Sequence, residues 1–428
     1  MVNFDIDPRF AAQLDWIREF VDTEIVPIDL AFGDENNIYD KTLPLWRTHI
    51  RPLQEQVRAH GLWSCHLTPD LGGQGYGQVR LAQMNEILGR SLFAPSVFGC
   101  QAPDSGNAEI LAHYGTPAQR DRYLRPLLAG EISSCYSMTE PQGGSDPRGF
   151  TAVAVRDGDE WIINGEKWFS SSAGHATFFI VMAVTDPTVP VHRGASMFLV
   201  PADTPGIRIL RHTGMGYDEE GTGNHPYVRY QNVRVPADAL MGAEGAAFTI
   251  AQARLGGGRL HHAMRTVGAL HRCLDMLCER ALSRTTGRGP LADNPVTQER
   301  IAEAWVELEQ FRLQVLHAAW TVDKFGAKAA RRQIAGVKIA TPRVYRNAVL
   351  RTMQLHGALG VSNEMPLARM LLTAVTLGIA DGPTEVHEIS LARDVLADHQ
   401  PAPGDWPSEH LPDRRLAARA RFATAQES

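Results

Sequence analysis

The sequence predicts an α+β protein with an N-terminal all-helical domain over 1–130, a small antiparallel β-domain over 131–242 and a C-terminal four-helix bundle over 243–400. A Pro/Ala/Arg-rich tail follows over 401–428. Three observations carry this reading. Up to about residue 130, apolar residues recur at three- and four-residue spacing, the mark of helices with one buried face. Between 131 and 242 the pattern changes to short β-branched and aromatic runs parted by Asp-Gly, Asn-Gly and Pro-Gly turns. Beyond 243 it returns to long amphipathic stretches, which pack as antiparallel bundles when joined by short loops.

Taken in order, helices are expected over 8–31, 43–60, 78–90 and 117–129. Pro117 stands in the first turn of the last of these, where its missing N–H has no partner to lose. Strands are expected over 151–155, 161–163, 178–184, 196–200 and 228–230, and bundle helices over 246–284, 295–325, 328–355 and 385–396. The tail from Pro401 is expected to lie loosely on the surface.

Composition excludes several function classes. A chain of 428 residues suffices for two or three domains or one large layered unit. A net charge of −6 argues against wholesale nucleic-acid binding, which needs a basic surface. The five cysteines form no C-x-x-C pair and are expected as free thiols in a reducing compartment. The acidic start has no apolar signal region and no run of about 18 apolar residues occurs, so a soluble cytoplasmic protein that does not enter membranes is expected. There is no Walker A loop, no nucleophile elbow, no Rossmann G-x-G-x-x-G after a strand and no H-E-x-x-H. His261 and His262 are neighbours on a helix, face different directions and cannot chelate one ion together, so no metal site is expected and core or interface packing is the reading for both.

The most informative stretch is 135–146, Cys-Tyr-Ser-Met-Thr-Glu-Pro-Gln-Gly-Gly-Ser-Asp. Such a run can lay backbone N–H groups and hydroxyls along a planar polar heterocycle while its glycines admit a bulky ligand. A second cluster follows over 164–174, Asn-Gly-Glu-Lys-Trp-Phe-Ser-Ser-Ser-Ala-Gly. Four shorter runs complete the set: Asp70-Leu71-Gly72-Gly73-Gln74-Gly75, Gly256-Gly257-Gly258-Arg259, Gln354-Leu355-His356-Gly357 and Asp381-Gly382-Pro383-Thr384-Glu385. In this order the six resemble the acyl-CoA dehydrogenase family, whose members carry T-E-P-x-x-G-S-D followed by N-G-x-K-x-W-[IS]-[TS]. The resemblance covers about 4 to 399. The run over 258–265 and the Asp-Gly-Pro element look most like the subfamily fused to kinase-like domains in animals; with no kinase-like segment in this sequence, the stand-alone form is expected.

The resemblance implies FAD held between the β-domain and the bundle. By residue, it implies that Met138 and Thr139 serve the pyrimidine end of the flavin, that Phe169 covers the ring and Ser171 donates to its N5, that Tyr136 and Ser170 also belong to the cofactor site, and that Ser145 lies toward the pantetheine. The family usually has Trp where Phe169 sits, and Trp168 comes one place earlier, so either ring is a candidate cover. Arg284 and Gln298 match positions on the pyrophosphate and adenine side. Gln354 and Gly357 would approach from a neighbouring subunit, which implies a homodimer or homotetramer. Gly287 stands where the family has Phe. Pro383, Thr384 and Glu385 would also touch the FAD. Gly256, Gly257, Gly258, Arg259 and Gly382 would line the acyl-CoA path. Three glycines in one helix cost about 1 kcal/mol each relative to Ala, which suggests a packing or ligand reason.

Asp381 is the expected base, standing where most of the family has Glu. The ordinary alternative is that Asp381 or Thr384 caps the last helix, a role both residue types favour. Some members place the base just before the bundle arginine instead; here that position is Gly258, which cannot act. Asp is one methylene shorter than Glu, so loop and substrate must come closer for proton transfer. The implied reaction is α,β-dehydrogenation of a medium- to long-chain acyl-CoA to a trans-2-enoyl-CoA, with electrons passed to an electron-transfer flavoprotein. Two alternatives remain on the same fold: processing of a phosphorylated 4-hydroxyacyl-CoA, and a non-enzymatic flavin-holding protein. Nitroalkane-oxidising relatives also use an aspartate base, but the glycine run with Arg259 speaks for a CoA ligand.

Overall fold

The computed structural model describes residues 4–33, 40–216, 218–402 and 404–423; the first three residues of the acidic start and the last five of the tail lie outside the described residues. The first helix, Pro8–Phe20, is capped by Asp7, whose carboxylate accepts the Phe10 N–H at 3.0 Å. It continues through a π-turn, Val21–Ile25, into Val26–Phe32. The same device recurs in Trp46–Ile50 leading into Arg51–Ala59, and in Arg120–Leu124 leading into Arg125–Leu128. Each time a proline (Pro27, Pro52, Pro126) is the second residue after the π-turn. Proline has no N–H to give and its ring crowds the carbonyl four residues back, and a widened turn just before it lets the helix continue. The expected helices over 8–31, 43–60 and 117–129 are therefore present with a local widening in each.

The Gly77–Leu88 helix matches expectation, whereas Asp104–Tyr114 was not expected. Its Ser105, Asn107, Ala108, Ile110, Leu111 and Ala112 are all buried, so it lacks the polar face that makes a helix readable from periodicity.

Eight strands form one sheet: Ser134–Ser137 (β1), Val153–Asp157 (β2), Glu160–Lys167 (β3), Phe178–Val184 (β4), Ala195–Pro201 (β5), Ile207–Arg211 (β6), Tyr227–Pro236 (β7) and Leu240–Met241 (β8). The order is β6-β7-β3-β2-β4-β5-β8, with β1 also on β4. Here the antiparallel expectation is corrected: β1 runs parallel to β4 from Ser134↔Phe178 to Ser137↔Val181, and β2 meets β4 in parallel at Val153↔Val184. Tight turns join only antiparallel neighbours; the β2–β3 hairpin and its loops supply the long crossover that a parallel pair needs. As a central strand covered on both faces, β4 is buried at every residue.

In the C-terminal region Ala247–Ser283, Pro295–Phe325, Arg331–His356 and Thr384–Leu396 follow the expected helices, and a fifth, Leu367–Thr376, was not expected. The tail carries a helix, Leu411–Ala423, whose described side chains are almost all exposed, a more regular form than the loose chain expected. Among the described residues no helix is long and apolar enough to cross a membrane.

One core joins the first and last helical blocks: Ile17, Phe93 and Phe98 pack in the same cluster as Leu260, Val267, Phe311 and Val344. The Gly77–Leu88 and Ala247–Ser283 helices meet backbone to backbone, since a Cβ on Gly89 would stand 2.0 Å from the Arg265 carbonyl oxygen. That contact fixes where residues 254–265 face.

Candidate active site

On the β-domain side, the 135–146 run is tied to the 164–174 run by a buried ion pair. Lys167 Nζ stands 2.8 Å from Glu140 Oε1, with side chains 0% and 1% exposed. Glu140 also accepts the Thr151 N–H at 2.6 Å and the Ala152 N–H at 3.1 Å, which leaves no buried charge unsatisfied. Burial pushes the Lys167 amine down to about 8 against the pull of Glu140. Burial also works to raise Glu140, but Lys167 and the two N–H groups outweigh it and hold the carboxyl below its ordinary range.

The same amine donates to the Met138 carbonyl at 2.9 Å, and the Trp168 N–H donates to the Thr139 carbonyl at 2.8 Å. Both carbonyls thus point inward. In a trans peptide the following N–H points the opposite way, so the Thr139 N–H faces away from Lys167. This is the edge a planar heterocycle requires.

Trp168 is boxed in. Its indole N–H donates to Thr213 Oγ1 at 2.9 Å, Arg211 lies 4.8 Å over one side and Phe169 stacks 5.0 Å away at 20°. Phe169, at φ +50, keeps a face open and is 50% exposed. Of the two candidate rings, the structure leaves Phe169 available. Ser171 Oγ pairs with His225 Nδ1 at 2.8 Å. Ser170, expected at the flavin, has its hydroxyl fully buried instead, in a ladder with Ser137 (2.9 Å) and, through it, Tyr230 (2.8 Å). Ser145 is exposed on the loop beyond, and Arg254 stacks 4.0 Å from the Tyr136 ring.

Across the cleft, Asp381 does not cap the last helix: the cap position is Pro383 with no side-chain bond. Thr384 turns back, its N–H and hydroxyl reaching the Gly378 carbonyl at 2.9 and 3.2 Å, and Glu385 is exposed in the first turn. Asp381 sits at φ +57, an uncommon conformation for a residue with a side chain, followed by Gly382 at φ +95. The surroundings hold it there. Arg259 Nε donates to the Asp381 carbonyl at 2.9 Å, His387 Nε2 stands 3.3 Å from the same oxygen, and Lys338 Nζ donates to the Leu377 carbonyl. Burial lowers Lys338 to about 8 while Asp381 pulls upward.

The glycine run is unbroken helix with three different outlooks. Gly256 faces open space, a Cβ on Gly257 would stand 3.0 Å from Glu109 Oε2, and one on Gly258 would stand 3.1 Å from Asp381 Oδ2. Gly258 thus leaves a bare seat for the carboxylate. One turn later His262 Nε2 lies 3.6 Å from Asp381 Oδ2, which corrects the reading of this histidine as packing. Arg259, expected near the CoA moiety, is engaged with the Asp381 loop. Glu109, Arg254, Lys338, His262 and His387 were missed by sequence reasoning; for His262 the four-residue spacing from Gly258 was the available signal. Burial raises Glu109 to about 7 against the pull of Arg254.

The remaining expected FAD residues lie elsewhere. Arg284, Gln298, Gln354 and Gly357 gather at the far end of the bundle, where Gln298 donates to Ala292 O at 3.0 Å and Arg300 reaches Gln354 at 3.4 Å. At 1.5 Å per residue that end is about 39 Å along the helix from Gly258. Within one chain these four cannot share a ligand-contact shell with Asp381.

This architecture, a mixed sheet facing a helical cleft, is that of a solved Mycobacterium abscessus structure described as an acyl-CoA dehydrogenase: TM-score 0.85, 40% identity, covering 92% of this chain and 100% of that one. Family models for the acyl-CoA dehydrogenase N-terminal, middle and C-terminal domains match residues 10–131, 135–229 and 245–396. The chain belongs to the acyl-CoA dehydrogenase family and is an oxidoreductase of that class. It is 43% identical to Mycobacterium tuberculosis FadE2, described as a probable acyl-CoA dehydrogenase, over 81% of this chain and 86% of that protein. It is also 42% identical to mouse acyl-CoA dehydrogenase family member 11, over 82% of this chain but only 45% of the mouse protein.

Proposed function

We propose that the chain removes two hydrogens from a medium- to long-chain acyl-CoA to give the trans-2-enoyl-CoA, with Asp381 as base, FAD as cofactor and an electron-transfer flavoprotein as acceptor. The single observation that carries this reading is the Asp381 carboxylate seated at Gly258, with its backbone clamped by Arg259 and His387 and with Tyr136 of the 135–146 run facing it.

The β-domain residues fit a flavin: the Thr139 N–H faces away from the Lys167–Glu140 pair, Phe169 is half exposed, and the Ser171 hydroxyl stands in the same run. When bound there, FAD would accept hydride from the carbon beyond the one that loses its proton. Asp381 takes that first proton, breaking the C–H bond next to the thioester carbonyl and forming an O–H bond on its carboxylate. Arg259 and His387 hold the Asp381 main-chain carbonyl, so the backbone of the loop needs little reorganisation when the carboxylate acts. Gly256, which faces open space, gives the thioester close passage along the helix, and Phe169 offers its open face to the flavin ring. The three units over 1–130, 131–242 and 243–400 frame this cleft, and a cytoplasmic location agrees with five free cysteines. The far-end patch of Arg284, Gln298, Gln354 and Gly357 supports a homodimer or homotetramer in which it serves a neighbour's FAD.

A second reading has one observation in its favour. Arg259 and Lys338 line the pocket beside Asp381, and two cationic side chains there suit a phosphorylated 4-hydroxyacyl-CoA. Anaerobic titration of the purified protein with an acyl-CoA panel decides between them. Bleaching of a bound yellow flavin with a long-wavelength band is expected; bleaching by phosphorylated substrates alone would select the second reading, and a protein that takes up no FAD would overturn both.

A further inference from the structure

We propose that His262 is the positioning residue for the base: its imidazole forms the wall of the notch whose floor is Gly258 and orients the Asp381 carboxylate for proton abstraction. This inference rests on the reading of Asp381 as the base.

The groups around Asp381 divide by the oxygen they hold. Arg259 and His387 both engage its main-chain carbonyl, at 2.9 and 3.3 Å, and Lys338 is committed to the Leu377 carbonyl. Tyr136 faces Asp381 from farther off, on the β-domain side, and Arg254 faces His262 from two turns earlier on the same helix. These contacts fix the loop but leave the carboxylate free to turn about its own side-chain bonds. Among the described residues, His262 alone brings a side-chain nitrogen within 4 Å of a carboxylate oxygen, at 3.6 Å from Oδ2. Gly258, one turn earlier on the same helix face, makes the approach possible; any Cβ there would intrude at 3.1 Å.

A separation of 3.6 Å is outside hydrogen-bond range, and catalytic contacts of this kind commonly tighten only when substrate fills the site. Burial, with Arg265 adding to it, lowers His262 to about 4 while Asp381 pulls upward, so the ring is neutral at neutral pH. A neutral Nε2–H can donate to the carboxylate, favour its ionised form and aim the free oxygen at the substrate. No proton moves to or from His262: the C–H bond breaks, the O–H bond forms, and the proton stays on Asp381. For an aspartate, with less reach than a glutamate, that aim matters more.

The test uses the FAD-loaded protein and rapid anaerobic mixing with an acyl-CoA across a pH series. H262L is expected to slow bleaching about 10- to 100-fold and to move the acid limb of the rate profile up by about one pH unit, with FAD content unchanged. H262Q, which keeps an N–H donor, should recover most of the rate. Wild-type rate and profile in H262L would overturn the proposal. A second measurement needs neither turnover nor a folded His262 variant: ¹⁵N-histidine NMR of the FAD-loaded wild type and D381N. The His262 titration should shift to lower pH in D381N, and an unshifted curve overturns the proposal. If no acyl-CoA bleaches the wild type, the dehydrogenase reading fails by itself and the NMR comparison still decides whether His262 and Asp381 are coupled.

Discussion

On the β-domain side of the cleft, the groups that face a ligand lie in two runs some twenty residues apart and are riveted by one buried ion pair, Lys167–Glu140. Across the cleft, Asp381 is positioned by Arg259, 122 residues earlier in the chain, by Lys338 on a second helix and by His387 on a third. The first wall is locally encoded and its polar groups saturate one another. The second is assembled from distant pieces, and its key carboxylate carries one loose contact. Binding of a rigid cofactor suits the saturated wall; proton transfer, which needs a basic oxygen left free, suits the other.

The sharpest way to break this comparison is D381N. Turnover should fall about 1,000-fold, in the range for loss of a general base, while bound FAD and thermal stability stay near wild type. Loss of FAD in D381N, read from the visible spectrum, would show that the two walls are not independent. Next in size is E140A. It strands the Lys167 ammonium in the core and should lower unfolding free energy by about 3–5 kcal/mol in urea titrations, taking FAD binding with it.

The same pair sets a pH dependence. Because Glu140 titrates lower when folded, its contribution is present above the unfolded value of 4.5 and is lost as pH falls through the folded one. Lys167 titrates at about 8 folded against 10.5 unfolded, so between those values the unfolded chain binds more protons and this group's contribution rises with pH. Melting curves across pH should show both slopes in wild type and a flattened acid slope in E140A.

G258A should act on the other wall alone. Its methyl would meet the movable Oδ2 of Asp381 at 3.1 Å, so turnover should drop about tenfold through displacement of the carboxylate, with melting temperature little changed. Smallest is F169A, which removes an exposed stacking face and should weaken FAD binding by about 1 kcal/mol in fluorescence titration, leaving the fold intact.

Much of this was legible in the sequence, for identifiable reasons. The 135–146 and 164–174 runs announce themselves because their hydroxyls, glycines and ion-pair partners sit within short spans. The long bundle helices are visible because each keeps one wet face. Asp104–Tyr114 was hidden because it is buried on most sides, and the π-turns because a proline two residues beyond them reads equally as a break or a continuation. The parallel pairing of β1 with β4 was hidden because no turn residue records it.

By itself the sequence determined the order of helical, sheet and helical blocks and the two β-domain runs, since each depends on local propensity or on side chains close in the chain. Only the tertiary structure decided which of Trp168 and Phe169 stands open, that Ser170 is buried, that Arg259 grips the Asp381 loop, and that Gly258 and His262 meet the carboxylate. Those outcomes depend on which faces of distant helices and strands are brought within a few ångströms, and packing sets that distance, not spacing along the chain.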